Sequence, residues 1–465
     1  MKILLINIAL RENPARILLP IGLGYIASAM DRAGFSFDLL DLDAHPRSPE
    51  QTERYLRTHQ YDVVAMGCIV TGYRHVKWIS KTIKAAFPST TIIVGNTVAQ
   101  SIPSILLTKT GADIAVMGEG DETIVDLLTR LRSSHNLEGI KGIWYKLNGQ
   151  IIKNPQRSVI PEIDDIPFPN WDLFDVEVYI NKMFRPDDEF SAPVPYQELR
   201  PILVNTARGC PYRCTFCYHA FLGEKYRWRS AESVIEEMKT LHNKYQINHF
   251  GFADELTFST AKQADHFADT LKASGLKVWW TADCRSGLFF NDEHIEVARK
   301  LKQVGCTALG FSLESADPEI LKQMQKKVGP EQFLRQVEIL KKAEIIAHTS
   351  LVFGYPTENK DTIRSTIDCC ISAGVYPSGG FLLPQPGSPM YDYCLENGYI
   401  KDEEDYLLRI GDRQDLHLNL TQMSDAEFIS TVETELKRCR DALAINLSDD
   451  SLLKKYSVKQ SDDRQ

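Results

Sequence analysis

The feature that most constrains the fold is an alternation of apolar, strand-like runs with amphipathic helical stretches, which occurs in two separate series along the 465 residues. Near-continuous apolar strands separated by helices are typical of parallel sheets covered on both faces. The first series predicts a doubly wound sheet, whose ligands would bind at the carboxyl ends of the strands. Its strand candidates are KILLINI (2–8), FDLLDL (37–42), DVVAMGCI (62–69), TIIVG (91–95) and ADIAVMG (112–118).

The second series starts at residue 202 and repeats the strand–helix unit six times within about 190 residues. This is two units short of a closed eight-fold barrel, so we expect an open, partial (β/α)6 barrel. The helical patterns include 231–245 and 329–344. The strand candidates are ILVNTA (202–207), HFGFAD (249–254), VWWTAD (278–283), ALGFSLE (308–314), HTSLVFG (348–354) and GGFLLP (379–384).

Between and after these series the pattern changes. Two alternating runs in 142–152 surround Asn148-Gly149 and predict a β-hairpin. The proline-containing stretch 161–175 reads as an ordered linker, and the last residues read as a polar, disordered tail. The predicted organisation is α/β, with four parts: a doubly wound domain (1–140), a hairpin and linker (141–195), a partial barrel (196–394) and a helical C-terminal region with its tail (395–465).

Composition narrows the class of protein. The net charge is −9, which gives no basic footprint for a nucleic acid. The apolar run at the N-terminus is short and alternates like a strand, and the stretch 17–30 is too short to span a bilayer. We therefore expect a cytoplasmic protein with no membrane span. Its ten cysteines would then be thiols or metal ligands, since disulfides are rare in that compartment.

Three of those cysteines lie in RGCPYRCTFCY (208–218), directly after the first strand of the second series: Cys210, Cys214 and Cys217. A structural zinc site needs four protein ligands, and no nearby Cys or His completes this set. Three thiolates on a loop at a strand end suit a 4Fe–4S cluster with one iron left open, which is a catalytic design. Zinc binding and simple electron transfer are the alternatives.

This C-x3-C-x2-C spacing, with the aromatic Phe216 before the third cysteine, resembles the radical S-adenosylmethionine (radical SAM) superfamily. The resemblance implies a six-unit partial barrel whose cluster follows the first strand. It also implies that the open iron chelates the amino and carboxylate groups of SAM. An electron from the cluster would then cleave SAM to methionine and a 5′-deoxyadenosyl radical, which abstracts hydrogen from a substrate.

Other segments from 196 to about 400 resemble the same superfamily in the expected order. The stretch 308–327 is similar to the fourth-strand segment, in which the Glu of an "ES" pair contacts the SAM ribose; here the pair is Glu314 and Ser315. LVFGYPTE (351–358) is similar to the fifth-strand segment that approaches adenine, at Gly354. Arg285, after the third strand, would face the SAM carboxylate, and an ordinary surface ion pair is the alternative.

The N-terminal series carries small residues at its strand–helix turns, where a ligand can approach the backbone. Its PIGLGYIA (20–27), VGNT (94–97) and GEGDET (118–123) resemble the cobalamin-binding domain that is fused to some radical SAM enzymes, with Asn96 where that family usually has Gly. Plain packing turns and a flavin or nucleotide site are the alternatives. The resemblance implies that cobalamin lies across these strand ends and contacts Pro20, Gly22, Leu23, Tyr25, Gly95, Asn96, Thr97, Gly118, Glu119, Gly120 and Thr123.

Many cobalamin proteins ligate cobalt from below through the His of a D-x-H-x-x-G motif. Residues 43–48 imitate that motif but lack its Gly and follow the second strand instead of the first. We therefore reject His45 as a cobalt ligand. Val70, Thr71 and Gly72, after the third strand, would lie nearest the lower face of the corrin.

Together the two resemblances imply an enzyme that uses a 4Fe–4S cluster, SAM and cobalamin. The most common chemistry of this pairing is methylation of an unactivated carbon or a phosphorus of a small-molecule substrate, through methylcobalamin and the 5′-deoxyadenosyl radical. The implied partners are that substrate and an electron donor such as flavodoxin or ferredoxin. One alternative is a non-methylating cyclisation, ring contraction or rearrangement; another is an electron carrier or a SAM-binding regulatory protein.

Overall fold

The computed structural model describes residues 1–11, 16–134, 136–183 and 194–453. Its N-terminal part contains a seven-stranded sheet with the strand order β2-β1-β3-β4-β5-β6-β7. Its first five strands are parallel, and their order is that of a doubly wound fold. The apolar runs of the sequence form its buried centre, as expected. The strands are β1 (Ile3–Asn7), β2 (Asp38–Asp41), β3 (Val63–Gly67), β4 (Thr91–Gly95), β5 (Ile114–Val116), β6 (Ile143–Leu147) and β7 (Gln150–Lys153).

The predicted hairpin forms β6 and β7, and it belongs to this same sheet. β6 pairs antiparallel with β5, with Tyr145 opposite Ile114, and so adds two antiparallel strands to the parallel set. Asn148 and Gly149 have φ values of 50° and 77°. Both values are positive, as a type I′ turn requires, and this explains the Asn-Gly pair.

Helices cover both faces of the sheet, and the linker packs beside it. Gly24 is required where Trp171 of the linker meets the first helix, because a Cβ there would lie 2.4 Å from the indole ring. The Tyr179 hydroxyl, also in the linker, donates to Asp41 at 2.7 Å. The helices are α1 (Ile21–Arg32), α2 (Pro49–Thr58), α3 (Tyr73–Ala86), α4 (Asn96–Ser101), α5 (Pro103–Lys109), α6 (Asp121–Ser133) and, in the linker, α7 (Val176–Lys182).

A second sheet has five parallel strands in the order in which they occur along the chain, from β8 through β11, β12 and β13 to β14. A short antiparallel ribbon, β9 with β10, lies outside it. The strands are β8 (Pro201–Val204), β9 (Ala207–Arg208), β10 (Arg227–Trp228), β11 (His249–Phe252), β12 (Trp279–Cys284), β13 (Cys306–Phe311) and β14 (Ile346–His348).

The sheet continues past β14 through isolated parallel bridges. Leu351 bridges Glu314, and Phe353 bridges Phe381. The predicted fifth and sixth strands therefore occupy the expected positions and complete an open, partial barrel. Past β14 they pair only through isolated bridges, although the sequence predicted continuous strands there. The barrel's helices are α8 (Ala231–Tyr245), α9 (Ala261–Ser274), α10 (Glu293–Gln303), α11 (Pro318–Gln323), α12 (Pro330–Lys342) and α13 (Lys360–Ala373).

Helix α14 (Pro389–Glu396) ends the barrel part, and the C-terminal region adds α15 (Glu403–Arg409) and α16 (Asp425–Ala442). The C-terminal region contacts helices of both sheets. The Glu404 carboxylate accepts hydrogen bonds from Lys77 at 2.5 Å and from the Tyr73 hydroxyl at 3.0 Å, which fixes α15 on α3. α16 packs on α13 of the barrel. The polar tail expected at the chain's end lies outside the described residues. Among the described residues, no helix is both long and apolar enough for a bilayer crossing.

Candidate active site

The strand ends of both sheets border one cavity of 2530 Å³. The N-terminal sheet contributes the residues after β1, β3, β4 and β5, and the barrel contributes residues after β8 and β11. Arg413 and His417 of the C-terminal region line it as well. Because α/β folds place ligands at the carboxyl ends of their strands, this cavity is the candidate active site. It exceeds the roughly 300–1,000 Å³ of a typical small-molecule pocket and has room for more than one ligand.

The cysteine loop, residues 209–226, is closed at its base by the β9–β10 ribbon, in which Arg208 pairs with Arg227. Cys210, Cys214 and Cys217 are free thiols, each half-buried. Backbone bonds from two other segments hold the loop: the amide of Thr215 donates to the Met324 carbonyl at 3.0 Å, and the amide of Met390 donates to the Thr215 carbonyl at 3.0 Å. Of the three cysteines, Cys217 lines the cavity.

The start of this loop is anchored by a buried carboxylate after β11. Asp254 accepts hydrogen bonds from the amides of Thr206 at 2.8 Å and Ala207 at 3.0 Å. It also accepts one from the side chain of Asn205 at 3.1 Å. The carboxylate satisfies backbone donors that leave β8 and enter the ribbon, so the second strand fixes the path of the cysteine loop.

The three thiols fit an iron–sulfur cluster. Burial, together with the neighbouring thiols of Cys214 and Cys210, raises the pKa of Cys217 to about 12, and burial also raises the pKa of Cys210. Thiolates at this place therefore need a metal cation to stabilise them. Within the described residues, no group of three His, Cys, Asp or Glu side chains could hold a metal ion. In an iron–sulfur cluster each thiolate binds its own iron, so the sulfurs need not converge on one point.

Glu314 lies beside the cysteine loop in a strained conformation. Its φ is 63°, in the left-handed region that non-glycine residues rarely adopt. Bonds on both sides hold it there, since its amide donates to the Ser350 carbonyl at 3.0 Å and its carbonyl accepts from the Val352 amide at 3.1 Å. The carboxylate is buried, and its Oε2 has no hydrogen-bond partner among the described residues. Its negative charge is one of those that raise the pKa of Cys217.

Arg285 lies against the first part of the cysteine loop. Its guanidinium stacks on the ring of Tyr212, 3.5 Å from the centroid, and its Nη2 is buried without a partner in the described part of the chain. A carboxylate oxygen and a guanidinium nitrogen, both without partners, therefore flank the cysteines. This pair fits a ligand such as SAM, which offers a carboxylate to Arg285 and hydroxyl groups to Glu314.

The other residues predicted near SAM have structural contacts. The Phe216 ring lies 5.9 Å from the Lys326 ammonium. The Ser315 hydroxyl is fully buried and accepts from the amide of Asp317 at 3.1 Å. Gly354 has a φ of 118°, which only glycine adopts readily, and its amide donates to the buried carboxylate of Glu358.

In the N-terminal half of the site, the turn after β4 adopts the conformation that glycine favours. Asn96 has a φ of 66°, and Asn is one of the few residues that tolerate this region, so it can stand where the resembled family usually has Gly. The hydroxyl of Thr97 accepts from the amide of Val70 at 3.0 Å, which joins the turns after β4 and β3.

Glycines form an open cradle on the same side of the cavity. A Cβ built at Gly22 or Gly118 meets nothing within 4 Å, and one at Gly95 meets only ordinary contact with Val116 at 3.9 Å. Larger side chains would fill this space, so the cradle fits a large planar ligand. The predicted cobalamin contacts that line the cavity are Pro20, Gly22, Leu23, Tyr25, Thr71, Gly95, Asn96, Thr97, Gly118, Glu119 and Gly120.

Three other predicted contacts are buried in the fold. Val70 and Thr123 are buried, and the Thr123 hydroxyl donates to the carbonyl of Glu119 at 3.1 Å. A Cβ at Gly72 would lie 2.0 Å from the Cys68 sulfur, so glycine is needed there for packing. These residues shape the turns that carry the cavity wall.

The structure also brings to the cavity residues that the sequence did not assign to a cofactor. His219 is buried, lines the cavity, and has both ring nitrogens without partners in the described residues; burial lowers its pKa. Arg74 and His75, at the start of α3, line the same cavity. The sequence showed that these residues follow predicted strands. It did not show which strand ends of the two sheets face each other.

The fold and this site define an α/β enzyme in which a three-thiol loop faces a second ligand-binding sheet. Residues 204–370 match the family model of the radical SAM superfamily, and residues 8–128 match that of the B12 binding domain. The chain belongs to the radical SAM superfamily and carries a B12-binding domain. The predicted family, fold class, enzyme class and cofactors (4Fe–4S cluster, SAM and cobalamin) are thereby confirmed.

Similar proteins include several methyltransferases. An uncharacterized methyltransferase of Pyrococcus horikoshii is 29% identical over 82% of this chain and 79% of its own length. Cytidylyl-2-hydroxyethylphosphonate methyltransferase of Streptomyces wedmorensis is 25% identical over 94% of this chain and 89% of its own. Anaerobic magnesium-protoporphyrin IX monomethyl ester cyclase of Cereibacter sphaeroides is 24% identical over 75% of this chain and 55% of its own.

Among solved structures, the radical SAM methyltransferase TsrM of Kitasatospora setae, with tryptophan substrate and a SAM analogue bound, aligns with a TM-score of 0.65. It is 18% identical, and the alignment covers 86% of this chain and 77% of TsrM. At this level of identity the likeness concerns the fold, which is the same pairing of a doubly wound sheet and a partial barrel.

Proposed function

We propose that this chain is a cobalamin-dependent radical SAM methyltransferase that methylates an unactivated carbon, or a phosphorus atom, of a small molecule. The observation that carries this proposal is the single cavity lined by both Cys217 and the glycine cradle of the B12-binding domain. When bound, the cluster supplies the electron that cleaves SAM, and cobalamin supplies the methyl group. Both cofactors must reach the substrate, which a shared cavity permits.

On the barrel side, Cys210, Cys214 and Cys217 hold the cluster and leave one iron free of protein ligands. Glu314 binds the ribose hydroxyls of SAM, and Arg285 binds its carboxylate. Both side chains are pre-oriented by neighbours, Glu314 by Lys326 at 3.1 Å and Arg285 by the Tyr212 ring. Preorganised charges of this kind bind without first reorganising.

On the sheet side, Gly22, Gly95 and Gly118 let the corrin approach the backbone, and Asn96 with Thr97 borders the same space. The substrate lies between the two halves, within reach of His219 and other polar residues of the cavity wall. An external donor such as flavodoxin or ferredoxin supplies the electron, and no nucleic acid takes part. The methyltransferases among the relatives support this outcome.

The test uses protein reconstituted anaerobically with iron, sulfide and hydroxocobalamin, reduced with titanium(III) citrate. SAM with a deuterated methyl group and a set of candidate substrates should give a product heavier by a deuterated methyl, together with S-adenosylhomocysteine and 5′-deoxyadenosine. Single Cys210→Ala, Cys214→Ala and Cys217→Ala variants should lose bound iron and 5′-deoxyadenosine. Cys369→Ala, a half-buried thiol outside the loop, is the matched control and should keep both.

Two other results of this experiment would favour one of the alternative functions. Substrate consumption with 5′-deoxyadenosine but no transferred label would favour a non-methylating cyclisation or rearrangement, for which the cyclase relative is the supporting observation. If the reconstituted protein forms no 5′-deoxyadenosine at all, the chain is an electron carrier or a SAM-binding regulator.

A further inference from the structure

The Glu119 carboxylate, in the GEGDET turn after β5, makes its bonds to the β9–β10 ribbon of the barrel part and to the linker. Its side chain is only 2% exposed. Oε1 accepts from Nη1 of Arg208 at 2.6 Å and from Nη1 of Arg227 at 3.0 Å. Oε2 accepts from the amide of Ile160 at 2.5 Å. Both oxygens therefore have protein partners, and all of these partners lie outside the doubly wound domain.

The two arginines stand opposite each other on the ribbon that closes the cysteine loop. Arg208 lies in β9 and Arg227 in β10, paired in register. Arg208 also donates to Asp121 at 3.1 and 3.2 Å, and its guanidinium lies 5.1 Å from the centroid of the Tyr25 ring. All of these contacts on Arg208 come from the B12-binding domain: Glu119 lies in the turn after β5, Asp121 begins α6, and Tyr25 lies in α1.

The charges of this group balance. Two guanidinium groups face the two carboxylates of Glu119 and Asp121, and all four side chains are largely withdrawn from solvent. Removing one member of a buried ion pair leaves its partner charged and unpaired, which is strongly unfavourable. The group therefore has one favoured arrangement, and that arrangement fixes the base of the cysteine loop against the cobalamin face.

We propose that Glu119 is a positioning residue: through Arg208 and Arg227 it sets the position of the cysteine loop relative to the B12-binding domain. This inference rests on the proposed function, because the distance between the cysteine loop and the B12-binding domain matters only if a methyl group passes from SAM to cobalamin. A displacement on the order of 1 Å is enough to slow a transfer between two held reactants about a hundredfold.

Two reactions of SAM report on this distance without any substrate. Methyl transfer to reduced cobalamin uses the electron pair of cob(I)alamin, breaks the bond from sulfur to the methyl carbon and leaves S-adenosylhomocysteine; it needs both domains in place. Reduction by one electron, supplied by titanium(III) citrate through the cluster, breaks the bond from sulfur to C5′. It leaves methionine and, after uptake of a hydrogen atom, 5′-deoxyadenosine. This second reaction uses the barrel alone.

Glu119→Gln keeps the size of the side chain and removes its charge. We expect the ratio of S-adenosylhomocysteine to 5′-deoxyadenosine to fall at least tenfold in the reconstituted variant. Asp121→Asn leaves Glu119 in place and should lower the ratio less than Glu119→Gln does. It is the variant to measure if Glu119→Gln folds poorly. Glu122→Gln is the matched control, because the neighbouring carboxylate is 59% exposed and pairs with Arg157 instead of the ribbon; its ratio should equal that of the wild type.

A second readout uses the protein without cofactors. Hydrogen–deuterium exchange of the ribbon, residues 207–208 and 227–228, and of the Ile160 amide should be faster in Glu119→Gln and unchanged in Glu122→Gln. An additional Arg227→Gln change, which removes the excess positive charge, should slow exchange again. Unchanged exchange in Glu119→Gln, or equal loss of both SAM products, would overturn the positioning role. A wild-type protein that forms no S-adenosylhomocysteine refutes methyl transfer instead, and the exchange result then decides the positioning role on its own.

Discussion

The ammonium group of Lys326 donates a hydrogen bond to Oε1 of Glu314 at 3.1 Å, while Oε2 of the same carboxylate has no partner in the described residues. The pair is almost fully buried, with side-chain exposures of 9% and 6%. A buried carboxylate oxygen without a partner is unfavourable unless a ligand satisfies it. Its place beside Cys217 makes SAM the ligand to test.

Glu314→Gln should therefore weaken SAM binding to the cluster-loaded protein. A hydrogen bond to a charged group contributes about 1.5–3 kcal/mol, which corresponds to roughly a ten- to hundredfold higher Kd. Equilibrium dialysis with radiolabelled SAM measures this change. Glu319→Gln, an exposed carboxylate in the neighbouring helix, is the control and should bind SAM as the wild type does. Equal affinities for the two variants would remove Glu314 from the SAM site.

A larger side chain at Gly22 tests the cobalamin cradle. Gly22 lies in the first turn of α1, faces the cavity, and has nothing within 4 Å of a built Cβ. Gly22→Leu should fill the space above the backbone and raise the Kd for hydroxocobalamin at least tenfold, as measured by quenching of tryptophan fluorescence. The fold should survive, since replacing a helical Gly by Leu favours the helix by about 0.5–1 kcal/mol.

The matched variant at this position is Gly22→Ala, which adds one methyl group to the same backbone atom. We expect it to keep cobalamin affinity within about twofold of the wild type. If the Gly22→Leu variant binds cobalamin as tightly as the Gly22→Ala variant does, the corrin does not lie against α1.

Local sequence predicted most of the elements but few of the contacts between them. The apolar runs located the strands of both sheets, and Asn148-Gly149 located the hairpin, because these signals depend on neighbouring residues alone. The pairing of β6 with β5 was not visible, since an alternating strand does not specify its partner. The spacing of the cysteines likewise indicated a cluster without any knowledge of the surrounding structure.

The site shows the same division. Glu119 was assigned to a cofactor from its motif, yet its charge partners are Arg208 and Arg227, 89 and 108 residues further along the chain. Glu404, which joins α15 to Lys77 of α3, is 327 residues from its partner. Such pairs depend on how two domains are placed, and a single sequence contains no local signal for that placement.

The buried carboxyl group of Glu358 should make the apoprotein's stability depend on pH. Burial raises its pKa to about 8, and the nearby charge of Asp317 adds to the rise. The pKa of an unfolded glutamate is about 4.3, so between roughly pH 4.5 and 8 the folded state binds more protons than the unfolded state. Stability from this group is therefore present at low pH and decreases as the pH rises toward 8.

Glu358→Gln removes this ionisation and keeps an acceptor for the amide of Gly354. From pH 6 to 8.5 the wild type should lose about 2 kcal/mol more of unfolding free energy than the variant does, which thermal unfolding at the two pH values measures. Glu331→Gln, an exposed carboxylate at the start of α12, is the control and should follow the wild type. Parallel pH profiles for wild type and Glu358→Gln would show that the buried group does not titrate in this range.

His219 gives a prediction about stability that needs neither substrate nor cofactor, and a second one about activity. Its two buried ring nitrogens lack partners in the described residues, and a buried polar side chain left unsatisfied disfavours folding by about 1–3 kcal/mol. His219→Phe should therefore raise the unfolding free energy of the apoprotein by about 1–2 kcal/mol, because an apolar ring of similar shape requires no hydrogen bonds. In the loaded enzyme the same change should lower product formation, since binding sites are often built at the expense of stability.

His242 provides the comparison, because its Nδ1 lies 2.7 Å from the carbonyl of Ile247 and the ring is only partly buried. His242→Phe breaks a made hydrogen bond and should lower the melting temperature, whereas His219→Phe should raise it. The opposite signs of the two changes in melting temperature distinguish an imidazole that stabilises the fold from one whose hydrogen-bonding groups are left for a ligand in the cavity. If both variants lower the melting temperature equally, His219 is a structural residue, and the substrate must be sought against another part of the cavity wall.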